Sequence, residues 1–180
     1  MRNVIQFCFF MCVSLSSLAQ LDTEHFIPPV YPSTHGWTYP REQVVYLSTP
    51  TRTPFNYTIK DGAGNVLQAG VVSNANPITY QMQAYASDFV VKDGDLNKVL
   101  TDRGLHIEAD EKVYCNLRAQ AGGGTRPNAT SMTAKGRSAL GTAFRIGHFP
   151  SPNGHANKSS TVGIYAAEDG TNISIDLTTR

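Results

Sequence analysis

Residues 55–72 read FNYTIKDGAGNVLQAGVV. Phe55, Tyr57 and Ile59 recur with period two, which places three apolar side chains on one side of an extended strand. Asp61-Gly62-Ala63-Gly64-Asn65 interrupts the alternation with residues suited to turn geometry, and Val66 to Val72 resumes as a return strand. The stretch is a β-hairpin by pattern, and it sets the fold class.

The same signal recurs on both sides of it. Val44 to Ser48 is a β-branched and aromatic run that stops at Pro50, while Ile78 to Gln83 and Asp88 to Val91 are short runs punctuated by Pro77 and Asp93-Gly94. Leu105 to Ala109 and Val113 to Ala119 read as another pair, joined near Asp110-Glu111, and a glycine-rich gap, Gly122 to Asn128, follows. Ala143 to Phe149 reads as a strand. Thr161 to Ala166 and Asn172 to Leu177 flank the turn Glu168-Asp169-Gly170-Thr171 as a closing hairpin. Only Ser131 to Leu140 offers room for a turn of helix. The expectation is an all-β, antiparallel β-sandwich of about nine or ten short strands. Strands do not alternate with helices, so an α/β fold is disfavoured.

The chain begins MRNVIQFCFFMCVSLSSLA. Arg2 is a short positive leader, Val4 to Val13 an apolar core broken by Gln6, and Ser17-Leu18-Ala19 supplies small residues for cleavage. Residues 1–19 are expected to be a signal peptide, because the apolar run falls short of the roughly 20 residues needed to span a bilayer. The mature chain is then secreted or displayed at the cell surface. Residues 20–42 hold Pro28, Pro29, Pro32 and Pro40 among His25, Phe26, Tyr31, Trp37 and Tyr39. Proline at this density argues for an extended segment packed on the domain, held by contacts and not by a strand ladder. Residues 43–180 form the sandwich domain in this reading. The chain stops at Arg180 just after a strand, as a piece of a longer protein would.

Arg2 leaves with the peptide, so fourteen basic side chains balance fourteen acidic ones in a formally neutral mature chain. No basic patch points to nucleic acid and no charge block to a membrane surface. Cys8 and Cys12 also leave, which strands Cys115 without an internal partner. Alternation sets Cys115 beside Val113 and Leu117, the pattern of a small buried hydrophobe.

Each candidate site lacks part of the chemistry it would require. Gly122-Gly123-Gly124 lacks the Gly-Lys-Ser/Thr that a phosphate loop needs. Asp93-Gly94-Asp95-Leu96-Asn97 starts like a calcium loop, but Lys98 stands at its sixth position and Gly104 at its twelfth. His25, His35, His106, His148 and His155 make none of the close His pairs that bind a metal. Glu108, Asp110 and Glu111 read as solvated edge residues, and no serine or cysteine nucleophile motif is present. Asn56, Asn128, Asn157 and Asn172 open glycosylation triplets, relevant only in a host with that machinery. No catalytic, cofactor-binding or metal-binding residue is assigned.

Three segments stand together as a resemblance: Thr23 to Pro29, Gly136 to Gly147 (GRSALGTAFRIG) and Val162 to Thr171 (VGIYAAEDGT). With them the chain resembles, from about residue 22 to 180, the N-terminal region of large Bacteroidetes surface proteins, a domain similar to the IgG-Fc-binding-protein N-terminal domain. The resemblance implies a β-rich adhesion or binding module. Such proteins often carry repeated extracellular modules and a type IX secretion or gliding-motility sorting domain, which in this protein is expected only beyond Arg180. The resemblance carries no catalytic residue across and does not imply immunoglobulin binding. The leading expectation is a non-enzymatic binding module for an extracellular protein or glycan, with no cofactor, no nucleic acid and no membrane insertion of the mature chain. The alternatives are a carbohydrate-acting enzyme or its accessory domain, using a carboxylate pair such as Glu108 with a facing Asp, and a structural spacer of a surface stalk.

Overall fold

The structure is a computed structural model that describes residues 20–31, 40–83, 89–121, 128–146 and 161–176. The signal-peptide reading of residues 1–19 lies outside these. No helix among the described residues is long and apolar enough to cross a membrane.

Seven strands form one antiparallel sheet: β1 Leu21–Ile27, β2 Pro40–Ser48, β3 Phe55–Asp61, β4 Val66–Val72, β5 Ile78–Met82, β6 Leu105–Ala121 and β7 Asn128–Ala134. The fold is all-β, as the periodicity required. The only helical turns among the described residues are two 3-10 turns, Asp93–Asp95 and Gly136–Ala139. The second falls inside the stretch expected to hold a turn of helix, while β7 takes up most of the rest.

β6 organises everything else. Its first half, Leu105 to Ala109, lies between β1 and β3, and its second half, Tyr114 to Ala121, lies between β2 and β7. β4 lies outside β3, and β5 outside β2. In β1, Asp22 stands opposite Val113 and Glu24 opposite Glu108, so Thr23 alone spans the four β6 residues between them. An excess of residues on one strand bends and twists it, and strands that change neighbours at such a bend turn the corners of a sheet. The sheet therefore curls along β6.

Its inner face holds the core. Ile27, Val45, Leu47, Ile59, Ile107 and Val113 are almost wholly buried there, and Phe89 reaches the same cluster from the loop before the first 3-10 turn. That loop is fixed by a short parallel bridge, with Val30 N–H donating to Phe89 O at 3.0 Å and Val91 N–H to Val30 O at 2.9 Å. Phe55, Tyr57 and Ile59 are buried as their alternation demanded. Opposite them β4 offers Gly70, where a Cβ would stand 3.3 Å from the Tyr57 ring, and Gln68, whose Nε2 donates to Tyr57 Oη at 2.6 Å. The glycine leaves the space that the ring fills.

Four expectations are corrected. Residues 105–119 are not a hairpin but one continuous strand. Asp110 and Glu111 are exposed charges at a bend, without the Gly or Asn that a tight reversal needs. The segment from residue 20 is not held by packing alone, because β1 pairs with β6 on both sides of the irregularity at Thr23 before the first proline at Pro28 removes a donor. Asp88 to Val91 contributes only the isolated bridge at Val90, with Asp88 itself outside the described residues. Of the strands expected at Ala143 to Phe149, Thr161 to Ala166 and Asn172 to Leu177, the described residues 143–146, 161–166 and 172–176 are irregular, and the rest lie outside the described residues. Alternation sorts side chains to two faces, but a strand also needs an edge to pair with, and none of the described edges receives them.

Candidate functional site

The outer face of β1, β6 and β3 gathers the charged and aromatic side chains that the core excludes. Pairing sets Glu24 directly opposite Glu108 and Phe26 opposite His106, with Thr58 and Lys60 facing Glu108 and His106 from β3. These positions alternate with His25, Ile27, Leu105, Ile107, Tyr57 and Ile59, which point inward. A grid of six outward side chains results from three ladders in register.

The grid is cross-linked by charge. His106 Nε2 lies 2.8 Å from Glu24 Oε1 and 3.8 Å from Glu108 Oε1. The remaining oxygen of each carboxylate meets a cation: Arg137 Nη1 donates to Glu24 Oε2 at 2.9 Å, and Lys60 Nζ donates to Glu108 Oε2. The Lys60 hydrogen bond holds the Glu108 carboxyl below its ordinary range. Partial burial opposes the shift, and the charges of His106 and Lys60 reinforce it. Glu108 is an ionised acceptor there, the opposite of a general acid, whose pKa must be raised.

Aromatic rings complete the face. Phe26 and His106 stack with centroids 4.8 Å apart and planes 13° from parallel, and Tyr165 tilts onto Phe26 at 5.4 Å. Burial, with the negative charges of Asp61 and Glu24, pushes the Tyr165 phenol up, so its hydroxyl keeps its proton. Tyr165 is seated because Gly104, at φ +98°, brings the chain within 3.0 Å of the ring at its would-be Cβ, and Gly163 likewise lies close to Pro28 and Pro29. On the other flank, Asp22 Oδ2 accepts from Arg137 N at 2.7 Å and anchors the second 3-10 turn beside β1. Glu24 and Phe26, Arg137, and Tyr165, from three segments far apart in sequence, thus meet at one place.

Glu24, His106 and Glu108 each offer a donor atom within 4.8 Å of the other two. This is the one His and carboxylate grouping of metal-ligand spacing among the described residues. Arg137 and Lys60 already balance its two carboxylates, so the arrangement stands as a closed ion-pair network.

The other candidates fall elsewhere. Asp93 accepts from Tyr31 Oη at 2.6 Å and Asp95 pairs with Arg103 Nη2 at 3.3 Å, which makes the Asp-Gly loop a clasp on the rest of the chain. His25 is buried, with its Nε2 2.9 Å from Val113 O. His35, His148, His155, Asn157 and Gly122 to Gly124 lie outside the described residues. Asn56 is exposed and donates through Nδ2 to Asp110 at 2.8 Å, beside a shallow depression also lined by Thr58 and Glu108. The carboxylate that faces Glu108 across the ladder is Glu24, not an aspartate. Burial pushes the Cys115 thiol up to about 12 and leaves it inert, as its apolar neighbours suggested.

Sequence reasoning missed the cluster. Alternation in Leu105 to Ala109 already placed His106 and Glu108 on one face. Nothing in the pattern showed that β1 would pair there, and so Glu24 and Phe26 were not joined to them. No family model matches the chain, and no curated protein matches it. A solved structure, described as the crystal structure of Thermotoga maritima 1070, is 12% identical, covers 63% of this chain and 96% of that chain, and superimposes with a TM-score of 0.29, too low to carry any argument about this fold.

Proposed function

We propose that this chain is an exported, non-enzymatic binding module of a bacterial surface protein, and that the outer face of β1, β6 and β3 is its contact surface. One observation carries the reading. The face is charge-balanced, with each carboxylate clasped by a cation, the Phe26 and His106 rings mounted on strands, and the Tyr165 ring laid onto Phe26 from the irregular segment 161–166. Such a surface offers flat apolar area and fixed hydrogen-bonding groups, the features of recognition sites for a protein or glycan. The Bacteroidetes resemblance supports the same reading, since its three segments supply Glu24, Phe26, Arg137 and Tyr165 to this face. Secretion through the leader at residues 1–19 is part of the proposal. So is a full sandwich: the three irregular segments with strand patterning, added to the seven strands, would bring the number to that expected of one.

The test is binding of the purified chain to arrayed glycans, mucin and immunoglobulin, beside an unrelated β-sandwich. Retention of one ligand class, lost in Tyr165→Ala and Arg137→Ala, is the expected result. Retention equal to the control protein, or unchanged by both substitutions, would overturn it.

The opposed pair Glu24 and Glu108 favours a second reading, a glycoside-acting hydrolase. It requires hydrolysis of a glycoside by the wild-type chain that Glu24→Gln abolishes. The clasped, ionised state of Glu108 argues against it.

A further inference from the structure

Gln20 is the residue that cleavage after Ala19 would leave at the N-terminus of the mature chain. It stands where the sheet releases the chain. β1 and β7 share one edge of β6: Leu21 pairs with Tyr114, and Ala134 pairs with Cys115, the next residue along β6. The other edge of these two residues belongs to Ser48 and Leu47 of β2. A longer β1 would set Gln20 opposite Cys115, but Ala134 fills that position, so β1 begins at Leu21. Gln20 is therefore a turn residue outside the ladder, exposed to solvent, while Leu21 behind it is buried.

That position suits a reaction within the residue itself. In an N-terminal glutamine the carboxamide and the α-amine are spaced to close a pyrrolidone ring. Both reactants belong to one residue, so no entropy is spent in bringing them together. The ladder does not oppose the closure, because neither group has to leave a strand pair or the core. Had β1 reached one residue further, the backbone nitrogen of Gln20 would have been drawn into the sheet.

We propose that Gln20 of the mature chain is cyclised to pyroglutamate. The neutral α-amino nitrogen attacks the side-chain Cδ and forms the lactam bond. The Cδ–Nε2 bond breaks, and the proton that the α-nitrogen sheds leaves with Nε2 as ammonia. No oxidant, reductant or second substrate is consumed. The lactam removes the terminal positive charge, as acetylation of an N-terminus does. It also leaves no amine from which an aminopeptidase could work toward Leu21, at a terminus where trimming would otherwise begin. The strand so guarded carries Glu24 and Phe26, two members of the proposed contact face. The inference rests on the leader reading, since without cleavage after Ala19 the nitrogen of Gln20 is an amide and cannot cyclise.

Mass spectrometry of the chain recovered from its native host tests it. Free amines are dimethylated on the intact chain before digestion, so that no ring can form during handling, and the tryptic peptides are then weighed. The first peptide should run from Gln20 to Arg41, carry no label at its terminus, and be lighter than its sequence by one ammonia. Gln20→Ala should also begin at residue 20, but with a labelled amine, and should keep the wild-type thermal midpoint because the side chain lies outside the core. A labelled amine on Gln20 would overturn the cyclisation and leave the leader standing. A first peptide that begins anywhere else would overturn both.

Discussion

His25 shows how a single position can oppose its neighbours. It points inward from β1 between residues that belong in a core, and its Nε2 is hydrogen-bonded to the Val113 carbonyl near the bend of β6. Replacing it by alanine removes buried volume and leaves that carbonyl unpaired, so His25→Ala should cost about 2–4 kcal/mol in urea unfolding. Glu108 acts in the opposite setting. Its carboxyl titrates below the ordinary value in the folded chain, so the contribution of its pairing with Lys60 is present above the unfolded value and is lost as pH falls through the folded one. Both side chains are partly exposed, which screens the pair. Glu108→Gln should therefore lower stability by about 0.5 kcal/mol at pH 7, and the difference from wild type should vanish in acid, below the ordinary carboxylate range. Cys115 gives a simpler readout. A thiol pushed up to about 12 and wholly buried should ignore a disulfide reagent in the native chain and react at once in urea.

Among the elements, β6 and the second 3-10 turn decide how the outer face is assembled. The turn is attached to β1 through Asp22, and Gly136 within it has φ +59° with a would-be Cβ only 2.4 Å from Asp22 Cβ. A side chain there is strained by conformation and blocked by contact. Gly136→Ala should cost roughly 2–3 kcal/mol and release Arg137 from Glu24, which a lowered thermal midpoint and a shifted Glu24 carboxyl resonance would report. The sequence of β6 reads as two strands because two charged residues, Asp110 and Glu111, interrupt its apolar alternation. They interrupt it at the bend, where the strand leaves β1 and β3 for β2 and β7. Local pattern cannot tell a bend from a reversal when both expose the same side chains.

For the molecule as a whole, the central position of β6 orders the stability of its parts. Its two halves are paired on both sides, whereas β4 and β5 are paired on one among the described strands. Native-state hydrogen exchange should be slowest at Leu105 to Ala109 and Cys115 to Gln120, faster in β4 and β5, and fastest in 161–176.

The sequence by itself determined the all-β class, the 55–72 hairpin with its inward Phe55, Tyr57 and Ile59, and the burial of Cys115. These depend on side-chain period and turn chemistry, which act over a few residues. Only the tertiary structure decided that β1 pairs with β6, that β6 bends without reversing, and that Glu24, Phe26, His106, Glu108, Arg137 and Tyr165 share one surface. Strand pairing joins residues more than eighty positions apart, and its register follows from which apolar faces can be buried together. That choice belongs to the whole chain, not to any segment of it.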